Sequence, residues 1–196
     1  MKLTLPNTRV AVFVPVVLAA LTVFSACGPD YPSPKFIESA DCEDLQHGVL
    51  PVTDLTLSTD GIDIDLRVEV ANNSSERRQG FMCRESIPAG TGMLFTYESD
   101  HNSRFWMFNT YVPIDILFFN SSGEVVDKIS MSPCLRDTAT DNDWNIKCTT
   151  EANEYIPSDI WRYSLELPFG WLADNNIDEP DIPSLFVSWT AIEAKE

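Results

Sequence analysis

The chain has only two histidines, His47 and His101, in 196 residues, and this scarcity limits its chemistry. A metal centre built from several imidazoles is excluded by count, and a histidine-assisted nucleophile would have to use one of these two. The sequence also lacks a Gly-rich phosphate loop, a Cys-x-x-Cys pair and a Gly-x-Ser-x-Gly turn. Basic residues are few, since 13 Lys and Arg stand against 30 Asp and Glu, for a net charge of −17. Because such a surface repels phosphate groups, we expect no nucleic-acid partner and no electrostatic docking to anionic membranes.

The N-terminal segment has the pattern of a secretory signal. Lys2 and Arg9 precede an uncharged apolar tract over residues 10–26, which is shorter than the roughly 20 residues that span a bilayer. The tract ends in FSAC and resembles a bacterial lipobox, which implies that Cys27 becomes the lipidated first residue of the mature protein. The alternative is a retained anchor helix. We therefore expect a signal peptide over residues 1–26 and a lipid anchor on Cys27, which holds the protein to a cell-envelope membrane on its extracytoplasmic (periplasmic or cell-surface) face.

Five cysteines are an odd number for an oxidising compartment, in which thiols usually pair. Once Cys27 is assigned to lipid, four remain, and they can pair in three ways. We favour a bridge between Cys134 and Cys148, because it closes a loop of about 15 residues, worth about 3 kcal/mol in the chain-entropy model. The second bridge then joins Cys42 and Cys83 by elimination. A metal–thiolate site is the alternative, and both the spacing and the compartment disfavour it.

The rest of the chain divides into a spacer and one domain. Residues 27–50 contain three prolines and no hydrophobic period, which predicts a flexible tether. Residues 51–196 are expected to form the domain, because the pattern there is mostly that of strands. The strand-like runs are residues 54–58, 62–71, 93–97, 104–108, 113–119, 124–130, 161–167 and 184–191. Asp60-Gly61 predicts a hairpin between the first two runs, and SSERRQ before Gly80 predicts a short helix. We therefore predict a mainly β (α+β) fold with one or two short helices, as a compact, partly closed β-barrel-like single domain.

Three blocks of the sequence resemble a known family. They are an Arg-x-x-Gly-hydrophobic-Met-x-Arg block over residues 77–84, a Gly-Met-Leu-Phe block over residues 92–95 and FWMFNTYVPID over residues 105–115. In this order and spacing they are similar to the DUF192 family, also called UPF0127, from about Val68 to Gly170. The resemblance implies a compact, largely β domain. The family's biochemical activity is not established, so the resemblance implies architecture and little about function.

The polar residues of these blocks are the candidates for a ligand site. They lie among large apolar residues and comprise Arg77, Arg84, Glu85, Trp106, Asn109 and Asp115. Asp115 stands in a run that is apolar on both sides, where an ionised carboxylate is costly unless a cation or backbone N–H groups hold it. We therefore expect Asp115 to pair with Arg77 or Arg84. Such a pair is either a structural ion pair or part of a site in which an arginine binds an anionic or polar group beside Trp106.

Catalysis and metal binding have weaker signals. Asp115 and Glu85 would be the acid/base pair of a small hydrolase-like envelope enzyme, but nothing in the sequence brings the two carboxylates together. The DNDWN stretch over residues 141–145 starts like a calcium loop, but Ile146 stands where that loop requires glycine. We therefore expect no metal and no cofactor. The sequence predicts a non-catalytic binding or accessory domain, whose partner is a small polar ligand or another envelope protein.

Overall fold

A computed structural model of the protein describes residues 31–45, 48–59 and 61–190. The predicted signal peptide over residues 1–26 and the predicted lipidation site, Cys27, therefore lie outside the described residues. The described ranges contain no candidate for a membrane-spanning helix.

Seven strands in the described part of the chain form one mixed sheet. They are β1 Val52–Thr59, β2 Ile62–Ala71, β3 Thr91–His101, β4 Ile114–Phe119, β5 Val125–Met131, β6 Trp161–Pro168 and β7 Phe186–Trp189. Their spatial order is β5-β4-β6-β3-β2-β1-β7. Neighbouring strands are antiparallel except β2 and β3, which run parallel. The mainly β fold and the β1–β2 hairpin predicted from the alternating runs are confirmed.

The two edges of this sheet do not join as a continuous ladder, so the predicted barrel-like closure is not confirmed. The residue before β5, Glu124, forms an isolated bridge with Phe186 of the other edge strand. Beside it, the Val187 N–H donates to the Gly123 carbonyl at 2.8 Å. Gly123 has a left-handed φ of 89°, and a Cβ there would lie 2.5 Å from the Val187 carbonyl oxygen. The close approach of the two edges at this point therefore requires glycine.

In the described residues, three α-helices lie in the connections between strands, namely α1 Ser74–Gln79, α2 Asp141–Glu151 and α3 Trp171–Asp174. Short 3₁₀ turns occupy Ala40–Cys42, Ala152–Glu154 and Glu179–Ser184. The predicted helix before Gly80 is confirmed as α1, which begins with a capping box between Asn73 and Glu76. Helix α2 falls in a polar stretch without an evident apolar period, and its buried residues are Trp144 and Cys148, one turn apart.

The strand predicted over residues 104–108 is wrong. This segment is irregular apart from one bridge at Phe108, and it crosses a face of the sheet instead of pairing within it. The Phe105 ring packs edge-on against Phe95 and Phe118, with centroid distances of 5.3 and 5.6 Å. The aromatic run is therefore buried as a cover over the sheet, which a strand pattern does not distinguish from pairing.

Apolar side chains cover both faces of the sheet. The cluster on one face includes Leu66, Val68 and Leu165 with Trp171 and Leu172 of α3. The cluster on the other face includes Met93, Phe95, Phe105, Phe118, Trp144 and Trp161. Because both faces are covered, polar residues that alternate with the apolar ones in central strands are also buried, among them Glu69 and Glu166.

The described part of the predicted tether is held against the domain. The Ile37 N–H donates to the Cys83 carbonyl at 2.8 Å, and the Glu85 N–H donates to the Lys35 carbonyl at 3.0 Å. These bonds surround an isolated bridge between Phe36 and Arg84. The packed structure thus extends from residue 31 into the region predicted as tether.

Both disulfides predicted from the sequence are present. Cys42 is bonded to Cys83, which ties the N-terminal segment to the loop after α1. Cys134 is bonded to Cys148, which ties α2 to the segment that precedes it.

Candidate functional site

A buried carboxyl group lies in the middle of the sheet. Glu166 belongs to β6, where it stands opposite Met93 of β3 and Ile116 of β4. The residue is 5% exposed, and its Oε2 atom has no hydrogen-bond partner among the described residues. Burial raises the pKa of Glu166 from its ordinary value of 4.5 to about 8. The group is therefore largely protonated at neutral pH, and it exchanges its proton close to that pH.

Glu166 forms the base of a small pocket between α1 and the irregular segment over residues 104–110, which we call the Glu166 pocket. Its other walls are Arg77, Arg78, Gln79, Gly80, Phe81, Met82, Phe95, Phe105, Trp106 and Thr110. The cavity volume is about 20 Å³, which is room for one water molecule or one small polar group. Arg77 and Trp106 are half-buried and Arg78 is exposed, so the pocket reaches the surface along this rim.

Gly80 of the Arg-x-x-Gly block keeps this space open. Its φ of 47° and ψ of −133° form a backbone conformation that side-chain-bearing residues rarely adopt. A Cβ at this position would lie 3.5 Å from Phe95 Cζ and 3.9 Å from Glu166 Oε2, and so would project into the pocket. The turn therefore requires glycine, and a methyl group at this position would also occupy part of the pocket.

The rim of the pocket is held by contacts of its own. Arg77 Nη1 donates to the carbonyl of Asn72 at 2.6 Å and to the carbonyl of Thr96 at 3.0 Å. Its guanidinium lies 4.4 Å from the centre of the Tyr97 ring. Burial raises the pKa of Tyr97, and the nearby Arg77 charge opposes that rise. On the other side, the Trp106 ring stacks on Phe108 with centroids 5.2 Å apart.

Arg84, a second predicted ligand residue, lies elsewhere and has a different role. Its Nη2 atom lies 2.9 Å from Glu69 Oε2, and the two side chains are 4% and 0% exposed. The same nitrogen donates to the Gly48 carbonyl at 3.1 Å. The Tyr31 hydroxyl donates to Glu69 Oε1 at 3.3 Å, and burial together with the Glu69 charge raises the pKa of Tyr31 to about 12. Arg84 and Glu69 thus form a buried structural ion pair that holds the N-terminal segment.

The expectation that Asp115 pairs with Arg77 or Arg84 is wrong. The pairing of β4 with β5 places Ser130 opposite Asp115, and the Ser130 hydroxyl donates to Asp115 Oδ1 at 2.5 Å. The Gly170 N–H donates to Asp115 Oδ2 at 2.8 Å, and Lys128 Nζ lies 3.7 Å from Oδ1. Strand register therefore supplies Asp115 with a hydroxyl, a backbone donor and a lysine, which together replace the expected arginine.

Asn109 and Glu85, the remaining predicted residues, do not join a common site with Asp115. Asn109 is buried, and its Nδ2 donates to the Asp41 carbonyl at 2.7 Å, which is a structural contact to the N-terminal segment. Glu85 is exposed, and the cavity of about 240 Å³ beside Asp115 is not lined by it. The structure does not bring the two carboxylates of the proposed acid/base pair to one cavity. In the described ranges, no group of three or more His, Cys, Asp or Glu side chains has the geometry of a metal site.

Two of the six ligand candidates predicted from the sequence, Arg77 and Trp106, therefore lie at the pocket. Its central group, Glu166, was not among the candidates. In the run SLEL, Ser164 and Glu166 alternate with leucines, and this pattern predicts a solvent-facing carboxylate. No signal within this strand separates a buried carboxylate from a solvent-facing one.

The fold and the pocket define a small single-sheet α+β domain with a recess of about 20 Å³ beside its Arg-x-x-Gly turn. The chain belongs to the DUF192 family, described as an "Uncharacterized ACR", whose model matches residues 55–182.

The solved structures similar to it include the following two. A Sinorhizobium meliloti 1021 protein described as a "putative transcription regulator" is 26% identical, with 72% of this chain and 95% of that chain covered and a TM-score of 0.57. A protein of unknown function from Novosphingobium aromaticivorans DSM 12444 is 21% identical, with 81% of this chain and 94% of that chain covered and a TM-score of 0.55, and this likeness shows the fold alone. None of the curated proteins compared with the chain matches it.

Proposed function

We propose that this chain is a lipid-anchored cell-envelope protein whose β domain binds a small ligand group in the Glu166 pocket and does not transform it. One observation carries the binding part of the proposal. Glu166 Oε2 is buried at the base of a surface-reaching pocket and has no hydrogen-bond partner among the described residues. A buried polar atom without a partner is costly, so a ligand that supplies the missing hydrogen bond is bound favourably.

The side chains at the rim of the pocket are held in place, which favours ligand binding. Arg77 is held by two backbone carbonyls and by the Tyr97 ring, and Trp106 is stacked on Phe108. Side chains that are already ordered lose little conformational freedom when a ligand arrives. The recess is therefore preformed, and its lining of aromatic and polar side chains can accept one small polar group without reordering of the rim.

The anchoring part of the proposal depends on the N-terminal sequence. The apolar tract over residues 10–26 and the FSAC motif indicate a signal peptide followed by acylation of Cys27. In the sequence, Tyr31 of the domain follows Cys27 by only four residues. The domain would then work close to the membrane on its extracytoplasmic side.

Two other functions have less support. A hydrolase that uses Asp115 and Glu85 would need the two carboxylates at one cavity, whereas Asp115 is bonded to Ser130 and Gly170, and Glu85 is exposed. A role in transcription, as described for the Sinorhizobium meliloti protein, is disfavoured for this chain, because 30 acidic residues against 13 basic ones repel a phosphate backbone.

A thermal-shift screen of the full-length protein in detergent micelles tests the binding function. Small fragments that carry amine, amide, hydroxyl or carboxylate groups are added one at a time, and ligands are expected to raise Tm through linkage. The shift should vanish in Glu166→Gln and persist in Glu98→Gln, which changes an exposed carboxylate of β3. Absence of any stabilising fragment, or shifts that Glu166→Gln leaves intact, would contradict the proposal.

Cell fractionation and intact-mass analysis test the anchor. The wild-type protein should be found in the membrane fraction without residues 1–26 and with acyl chains on Cys27. Cys27→Ser should abolish acylation and release the protein from its anchor, whereas Ser25→Ala, which keeps a small residue before the cysteine, should behave as wild type. An unmodified Cys27 or a retained N-terminal segment would refute the lipid anchor and leave the pocket proposal unaffected.

A further inference from the structure

We propose that the Glu166 pocket receives a primary ammonium group at the end of a slender aliphatic chain, with the Glu166 carboxylate as its counter-ion. This inference rests on the proposed binding function of the same pocket and adds the chemical class of the ligand.

The first argument is the hydrogen-bonding requirement of the carboxylate. Glu166 lies between Met93 and Ile116 on the neighbouring strands, so no polar side chain stands directly beside it in the sheet. Its Oε2 atom has no donor among the described residues, although the residue is 5% exposed. An ammonium group brings three N–H donors and a positive charge, which together satisfy an ionised carboxylate.

The second argument is the nature and size of the walls. Phe81, Phe95, Phe105 and Trp106 line the pocket, and aromatic rings attract cations through their faces. The volume of about 20 Å³ accepts a group with one non-hydrogen atom, and excludes a quaternary ammonium, a guanidinium or a carboxylate. A primary ammonium on a narrow stem satisfies both conditions.

The third argument is the charge around the carboxylate. The titratable groups that face it are Arg77 and Arg78 from α1 and Tyr97 from β3. Arg77 is committed to two backbone carbonyls and the Tyr97 ring, and Arg78 is exposed. Burial is the cause of the raised pKa of Glu166, about 8, and no described cation offsets it. The counter-ion that ionised Glu166 needs must therefore come from outside the described structure.

Binding of an ammonium ion should accordingly expel the proton of Glu166. Below the Glu166 pKa of about 8, each unit by which the pH falls then weakens the apparent affinity for the ammonium ion about tenfold, because the ligand must compete with a proton. Above that pH the affinity should level off. A ligand that accepts a hydrogen bond from protonated Glu166 would show the opposite dependence on pH.

Calorimetric titration of the full-length protein in detergent micelles with methylammonium chloride tests this inference. Buffers must contain no primary amine, and the ionic strength is held constant with sodium chloride between about pH 6 and about pH 9. The expected result is a Kd that falls about 50-fold from pH 6 to pH 8, no binding of tetramethylammonium, and loss of binding in Glu166→Gln but not in Glu98→Gln. Failure of methylammonium to bind at any pH, or equal binding by Glu166→Gln, overturns the inference.

A measurement on the wild-type protein alone tests the same inference without depending on the folding of Glu166→Gln. With ¹³C-labelled glutamate, the Glu166 carboxyl resonance should move from its protonated to its ionised position when methylammonium is added at neutral pH. An unchanged resonance at saturating amine would contradict the proposal.

Two further binding experiments identify the source of the ammonium group. They also separate the proposal of an ammonium ligand from the proposal that the pocket binds a ligand at all. Free alkylamines are compared with a short peptide that carries one lysine, with its acetyl-lysine form as control, to distinguish a small molecule from a polypeptide side chain. Binding in either arm supports the ammonium assignment. If amines fail but methanol, whose hydroxyl is of similar size, binds in a Glu166-dependent manner, the ammonium assignment falls and the pocket stands; if no probe binds, both fall.

Discussion

The guanidinium of Arg84 lies 2.9 Å from the carboxylate of Glu69, and both side chains are almost completely buried. Glu69 also accepts the Leu50 N–H at 2.8 Å, so this carboxylate is satisfied from several sides. Glu166 is buried in the same sheet without such a partner. The contrast between two buried carboxylates, one neutralised by an arginine and one not, separates a structural residue from a candidate ligand group.

Loss of one partner of the Arg84–Glu69 pair should destabilise the protein strongly. Arg84→Ala leaves an uncompensated charge in the interior, and we expect a cost of about 3–5 kcal/mol in chemical denaturation. The half-exposed pair between Arg162 and Asp100 serves as a control, because Arg162→Ala should cost less than about 1 kcal/mol. A small effect of Arg84→Ala, similar to that of the control, would show that the buried pair does not hold the fold.

Replacement of Glu166 by glutamine should change how stability depends on pH. The folded-state pKa of Glu166, about 8, lies above its ordinary value of 4.5, so the folded protein retains a proton that the unfolded chain releases. Stability should therefore fall as pH rises between these values, by up to about 1.4 kcal/mol per pH unit, and level off above about 8. Glu166→Gln removes this contribution, so its Tm should exceed that of wild type by a margin that widens across the window. Glu98→Gln should follow the wild-type profile; parallel profiles for Glu166→Gln and wild type would refute the prediction.

The two disulfides should differ in what their removal costs. The Cys42–Cys83 bridge spans 41 residues and the Cys134–Cys148 bridge spans 14. In the chain-entropy model the first bridge contributes about 4 kcal/mol and the second about 3 kcal/mol. The double serine variant of Cys42 and Cys83 should therefore unfold at a lower denaturant concentration than the double serine variant of Cys134 and Cys148. Proteolysis should also reach the N-terminal segment sooner in the variant of Cys42 and Cys83. The reverse order of stability would indicate that α2 depends on its bridge more than loop length suggests.

Asp115 should act as a structural acceptor for the turn at Gly170. Asp115→Leu removes the acceptor of the Gly170 N–H and of the Ser130 hydroxyl, and the unsatisfied groups should cost about 1–3 kcal/mol. Asp115→Asn retains an oxygen that can accept the backbone donor, so its effect should be smaller. Hydrogen exchange at the Gly170 amide should accelerate in the leucine variant before global unfolding. Equal stability of Asp115→Leu and Asp115→Asn would show that Asp115 is not a structural acceptor for this turn.

Local patterns predicted much of the fold. The alternation in residues 62–71 predicted β2, and the Asn73–Glu76 capping pair predicted the start of α1, because both signals depend on near neighbours in the chain. The strand predicted over residues 104–108 was wrong, since burial of an aromatic run looks the same whether the run pairs in a sheet or covers one. The ion pair predicted for Asp115 was wrong because strand register, which places Ser130 beside it, is not a local property.

By itself the sequence determined the family, the hairpin, the capped helix and a preferred disulfide pairing, since each follows from residue identity and spacing. The tertiary structure decided which carboxylates are buried. Glu69 and Glu166 both alternate with apolar residues and so carry the pattern of solvent-facing positions. A second apolar layer covers that face, and it encloses Glu69 with an arginine and Glu166 without one. That difference arises from contacts between residues far apart in the chain, which no local period records.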